Sequence, residues 1–143
     1  MAAVAPPRPR AGTAVAAGVL AVLGGTWFLT GIFWVSLVLG YGQQDLLVPG
    51  QIADAVIGLL LLLGGVTLLA GAEAGRLLCL ATAVVALVAL VVGTALRYQR
   101  ILFLVGGPAG IDANAPRGIV MAAPFAALLV LTALPATRRW TRR

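Results

Sequence analysis

Ala55-Val56-Ile57-Gly58-Leu59-Leu60-Leu61-Leu62-Leu63-Gly64-Gly65-Val66-Thr67-Leu68-Leu69-Ala70-Gly71-Ala72 runs for eighteen residues without a charge. Barrel strands alternate apolar and polar residues, because one face meets lipid and the other the lumen. Five consecutive leucines do not alternate, and neither does Val84-Val85-Ala86-Leu87-Val88. Open backbone cannot be satisfied in hydrocarbon, so the remaining way to span it is a helix. A helix needs about 20 apolar residues to cross ~30 Å of hydrocarbon.

The same test applied outward finds further uncharged windows at 11–44, 77–96, 101–111 and 118–137. The window 101–111 is too short to cross. The window 11–44 is too short for two crossings and ends in the polar, Gly-rich Gly40-Tyr41-Gly42-Gln43-Gln44. Four spans are therefore predicted, near 13–39, 54–72, 76–97 and 118–136. The expected fold is all-α: a polytopic membrane protein with a four-transmembrane-helix bundle. A basic, Pro-rich tail (1–12) and a basic tail (137–143) flank one transmembrane domain over 13–136. The first apolar run exceeds the 7–15 residues of a signal-peptide core, so an uncleaved helix is expected.

Composition agrees with this reading. Of 143 residues, 62 % are apolar and 10 % charged, against roughly 25 % charged in soluble domains. The mean hydropathy is +1.08. All ten basic residues are Arg, and the net charge is +6. The pI near 11.4 invites a nucleic-acid reading, but the placement of charge argues for orientation instead. Four crossings put both termini on one side. With them lie Arg8, Arg10, Arg76, Arg138, Arg139, Arg142, Arg143 and Glu73, for +6. The other side carries Arg97, Arg100 and Arg117 against Asp45, Asp54 and Asp112, for zero. Basic residues near span ends stay cytoplasmic. The expected setting is a bacterial cytoplasmic membrane with both termini cytoplasmic.

Between the second and third spans, Gly71-Ala72-Glu73-Ala74-Gly75-Arg76 is a tight inner turn, which makes those helices antiparallel neighbours. The outer loops are longer. The first, from about Gly40 to Ala53, contains Pro49-Gly50, a turn signal. The second runs from about Tyr98 to Arg117 and includes the interfacial, re-entrant or lid-like segment 101–105.

Membrane helices associate through small residues that let backbones approach. Ala11, Ala14, Gly18, Ala21 and Gly25 form one such seam, and Cys79, Thr82, Ala86, Ala89 and Gly93 a second. Both repeat at three and four residues, the spacing of a left-handed crossing. Ala122, Ala126 and Ala133 offer a small face around Pro124, which should kink helix 4. Trp27 reads as core packing. Leu23-Gly24-Gly25 and Gly31 recur as Leu63-Gly64-Gly65 and Gly71, a faint internal echo.

The chemistry is sparse. With no His, no Lys and one Cys, the residues offer no haem axial pair, His triad, CxxC motif or phosphate-binding Gly-Lys loop. No catalytic residue, cofactor or metal is expected, and no nucleic-acid partner. An outward polar ring remains: Gln43, Gln44, Asp45, Gln51, Asp54, Arg97, Arg100, Asp112, Asn114 and Arg117. Within it Asp54 reads first as a helix N-cap and second as a proton or cation site. Three functions follow in order. The first is a non-enzymatic accessory or structural subunit of a membrane complex, with lipid and a protein partner or self-association around it. The second is a small oligomeric channel or transporter. The third is a membrane enzyme using Asp54, Asp112 or Arg97 on lipid.

Overall fold

The structure is a computed structural model. It describes residues 12–39, 44–98 and 115–141, with side-chain surroundings over 12–33, 37, 50–92 and 122–141. The fold is all helical: α1 Gly12–Leu39, α2 Gln44–Leu69, α3 Glu73–Tyr98, α4 Ala115–Ala133 and α5 Pro135–Thr141. At 1.5 Å per residue, α1 is about 42 Å long, α2 and α3 about 39 Å, and α4 about 28 Å. Three helices are long and apolar enough to cross a membrane, through Gly12–Phe33, Gly50–Leu69 and Glu73–Val92. The fourth carries a shorter apolar segment, Ala122–Ala133.

The first four helices close into a ring. α1 packs on α2, α2 on α3, α3 on α4, and α4 returns to α1. The α1–α2 seam is built on two reciprocal glycine pairs. A Cβ on Gly25 would lie 2.7 Å from the Gly58 carbonyl oxygen, and one on Gly58 3.1 Å from that of Gly25. Gly65 and Gly18 meet in the same way, at 2.9 Å and 3.3 Å. Both helices space their glycines by seven, so antiparallel packing brings the two pairs into register. Ala14, Ala17 and Ala21 are buried along the same stripe.

The neighbouring glycines serve other contacts. A residue step on a helix turns about 100°, so adjacent positions face different neighbours. Gly64 lies against Cys79 of α3, where a Cβ would approach Sγ to 2.9 Å. Gly24 looks toward Leu61 and Phe125 at ordinary contact distance. The Gly-Gly recurrence thus places each helix against two neighbours. On α3, Cys79, Thr82 and Ala86 are buried and Ala89 is half-buried; Ala83 joins them. The surroundings of Gly93 and the whole of Ala11 lie outside the described residues.

Phe28 and Phe125 tie α1 to α4. Their rings meet edge to face at 5.4 Å and 65°, a favoured aromatic geometry. Phe28 continues the α1 seam three residues past Gly25. The buried face of α4 is Phe125, Leu128 and Thr132. This corrects the expected small face: Ala126 and Ala133 are exposed and Ala122 is half-buried. α4 runs through Pro124 as one helix.

Two boundaries also differ from expectation. α2 starts at Gln44, ten residues before the expected 54, and passes through Pro49-Gly50. A proline there removes the hydrogen bond to the Asp45 carbonyl alone, in the second turn of the helix. Further along, α4 stops at Ala133 and the chain resumes as α5. The inner turn follows its sequence signals. Gly71 sits at φ +85°. Its N–H donates to Leu68 O at 2.9 Å, and that of Ala72 to Thr67 O at 3.0 Å. Those two bonds are the Schellman closure of α2, with glycine at the left-handed position. Gly75 then packs against the backbone of Thr67 and Leu68, leaving no room for a side chain.

Candidate functional site

Asp54 changes most between sequence and structure. It is not an N-cap. It stands inside α2, 3 % exposed. Helical spacing places it on the face of Ile57, Gly58 and Leu61, all buried, with half-buried Gln51 one turn outward. Fifteen residues separate it from Leu69, or about 22 Å of helix, and it falls inside the apolar stretch Gly50–Leu69. Asp54 is not left without a partner in the bundle. It is the fifth residue of that stretch, about 6 Å of helix from its Gly50 end, so its cost falls short of the roughly 2.5–3.5 kcal/mol of an acid at the helix centre. Facing the protein interior is how such a group is tolerated. An acid so placed is chemically able to hold a proton or attract a cation.

Of the other members of the expected polar ring, the structure gives side-chain surroundings only for Gln51. Asp45 lies in the first turn of α2, nine residues or about 14 Å of helix from Asp54. Arg97 is near the end of α3 and Arg117 near the start of α4. Their side-chain surroundings lie outside the described residues, as do Gln43, Arg100, Asp112 and Asn114. Among the described residues, no group of three His, Cys, Asp or Glu side chains could hold a metal ion.

Among the described residues, five threonines of the spans, Thr26, Thr30, Thr67, Thr82 and Thr132, bond to their own helices. Thr26 donates to Val22 O at 2.9 Å, Thr67 to Leu63 O at 2.6 Å, Thr82 to Leu78 O at 2.7 Å and Thr132 to Leu128 O at 2.8 Å. Thr30 lies 3.0 Å from both the Thr26 and Trp27 carbonyls. Lipid offers no partner for a hydroxyl, so this local bonding removes the cost of carrying it. The interior between them is an apolar cluster that includes Ala17, Ala21, Phe28, Ile57, Leu61, Leu68, Ala83 and Leu128.

An apolar groove of about 270 Å³ opens between α1 and α4, lined by Leu20, Leu23, Trp27, Pro124, Phe125 and Leu128 among others. Trp27 is 43 % exposed at its edge, which corrects the core-packing reading.

At the other end of the bundle, the α4–α5 break forms a polar junction that sequence reasoning missed. Pro135 has no N–H for the Leu131 carbonyl. The Thr137 hydroxyl takes that place, donating to Leu131 O at 2.7 Å. It also lies 3.3 Å from the Thr13 hydroxyl of α1. Arg76 of α3 points Nη1 at Thr132 O, 3.5 Å away, and holds Nη2 3.8 Å from Glu73. Its side chain is largely buried. The spacing of three between Glu73 and Arg76 in the sequence does not by itself reveal that burial. The available signal was Leu134-Pro135, which leaves carbonyls at the end of α4 for a nearby cation.

No protein-family model, curated protein or solved structure matches this chain.

Proposed function

We propose that this chain is a small integral membrane protein of the bacterial cytoplasmic membrane, with four crossings and both termini cytoplasmic. Its role is that of a non-enzymatic accessory or structural subunit of a membrane complex. The observation that carries this reading is the filled interior. Close glycine contacts and an apolar cluster occupy the space between the helices, and the buried Thr82 and Thr132 hydroxyls are spent on their own backbones. A rigid body of this kind suits holding a position beside another protein. The charge balance supports the orientation, since +6 falls beside the termini and the inner turn.

Purification from native membranes in mild detergent tests the reading. A protein partner in fixed stoichiometry is expected. A lone homo-oligomer that supports solute flux in liposomes would overturn it.

One observation favours a second reading, a small channel or transporter. Asp54 is buried within an apolar span, and intramembrane acids commonly serve ion or proton pathways. Under that reading Asp54→Asn abolishes coupled flux in proteoliposomes while the bundle stays folded.

A further inference from the structure

We propose that α5, through its exposed Arg138 and Arg139, forms a platform for the phosphate-bearing headgroup of anionic lipids. The inference rests on the chain lying in a bilayer, and not on the subunit reading above.

The helix is docked, so its outward face is defined. Thr137 and Thr141 are buried and Trp140 is half-buried. These three share one side by their spacing of three and four. The Thr137 hydroxyl bonds across the α4–α5 break, and the Trp140 indole nitrogen lies beside Gly71 of the inner turn. Arg138 and Arg139 are left on the exposed side. Two guanidinium groups thus stand on an ordered surface, five and six residues beyond the apolar segment Ala122–Ala133. That is headgroup level, where a partly buried tryptophan is also favoured.

Arg76 lies beneath the break, and its buried Nε has no hydrogen-bond partner. Among the described residues, Glu73 is the acid paired with it. Every cation here is Arg, whose planar fork matches phosphate oxygens in pairs. The position at the end of an apolar span selects a lipid headgroup over a soluble phosphate or a nucleic acid.

The test is native mass spectrometry of the full chain in non-ionic detergent, titrated with phosphatidylglycerol or phosphatidylcholine. Preferential retention of phosphatidylglycerol is expected. Each surface charge removed should weaken it about fivefold, so Arg138→Gln with Arg139→Gln lowers its affinity about 25-fold and leaves phosphatidylcholine unchanged. The Arg138→Lys, Arg139→Lys variant should keep most of the preference, and Arg97→Gln all of it. Circular dichroism confirms that each variant is folded. Equal retention of the two lipids by the wild type, or undiminished phosphatidylglycerol affinity in the Gln variant, would overturn the proposal. So would displacement of the lipid by an equal concentration of inorganic phosphate.

Discussion

Gly24 and Gly25 are adjacent, chemically identical and predicted to respond in opposite ways to alanine. At Gly25 the added Cβ meets the Gly58 oxygen at 2.7 Å, Leu62 Cγ at 2.8 Å and the Leu62 nitrogen at 3.0 Å. Two of these are backbone atoms, which move only if the helices part by more than half an ångström. A gap of 0.5–1 Å forfeits a quarter to a half of each dispersion contact, individually about 0.1–0.2 kcal/mol. Over the roughly 40 atom pairs of a well-packed side chain, the loss is about 2 kcal/mol. In lipid this packing is the main force between helices, so little else offsets it. Alanine's helix preference returns up to about 1 kcal/mol. The expected net effect is a loss of about 1–2 kcal/mol. At Gly24 the nearest atoms are Leu61 Cδ1 at 3.6 Å and Phe125 Cε1 at 3.7 Å. Gly24→Ala should therefore be neutral or slightly stabilising. Reversible unfolding in mixed detergent and dodecyl sulfate micelles, followed by far-ultraviolet circular dichroism, reads both variants. If Gly25→Ala is as stable as Gly24→Ala, the reciprocal glycine seam is wrong.

Other contacts give sharper local tests. Thr137→Val removes the hydroxyl on Leu131 O and should cost about 1–2 kcal/mol; trypsin should then cleave after Arg138 or Arg139 faster than in the wild type. Gly71→Ala forces a side chain into φ +85°, and a loss of about 1–2 kcal/mol is expected in the same micelle titration, with Gly71→Asn milder. Phe28→Ala empties a fully buried site against Phe125 and should cost about 3–5 kcal/mol; a loss below 1 kcal/mol would mean that the α1–α4 contact does not hold the ring closed.

Spans were legible because hydrocarbon excludes charge, so each long uncharged window marks a helix. Their ends were less legible for the same reason: a window edge marks a charge and not a helix terminus. Asp54 bounds a window and so read as a cap, yet α2 begins ten residues earlier. The Pro49-Gly50 signal failed because a proline early in a helix sacrifices one hydrogen bond, which the rest of α2 outweighs. The small residues of α1 could be read from their spacing, but a seam does not name its partner. The usable clue was the shared spacing of seven in Gly18, Gly25 and Gly58, Gly65. The α5 junction was hidden because it depends on three separate segments, through Thr13, Arg76 and Thr137.

The central claim is an even number of crossings with both ends inside. In a Cys79→Ala background, single cysteines at Ala2, Asp112 and Arg143 can be probed with a membrane-impermeant maleimide on intact spheroplasts. The account predicts labelling at position 112 alone, with positions 2 and 143 reacting only after the membrane is opened. Labelling of one terminus but not the other from outside would mean an odd number of crossings and would contradict it.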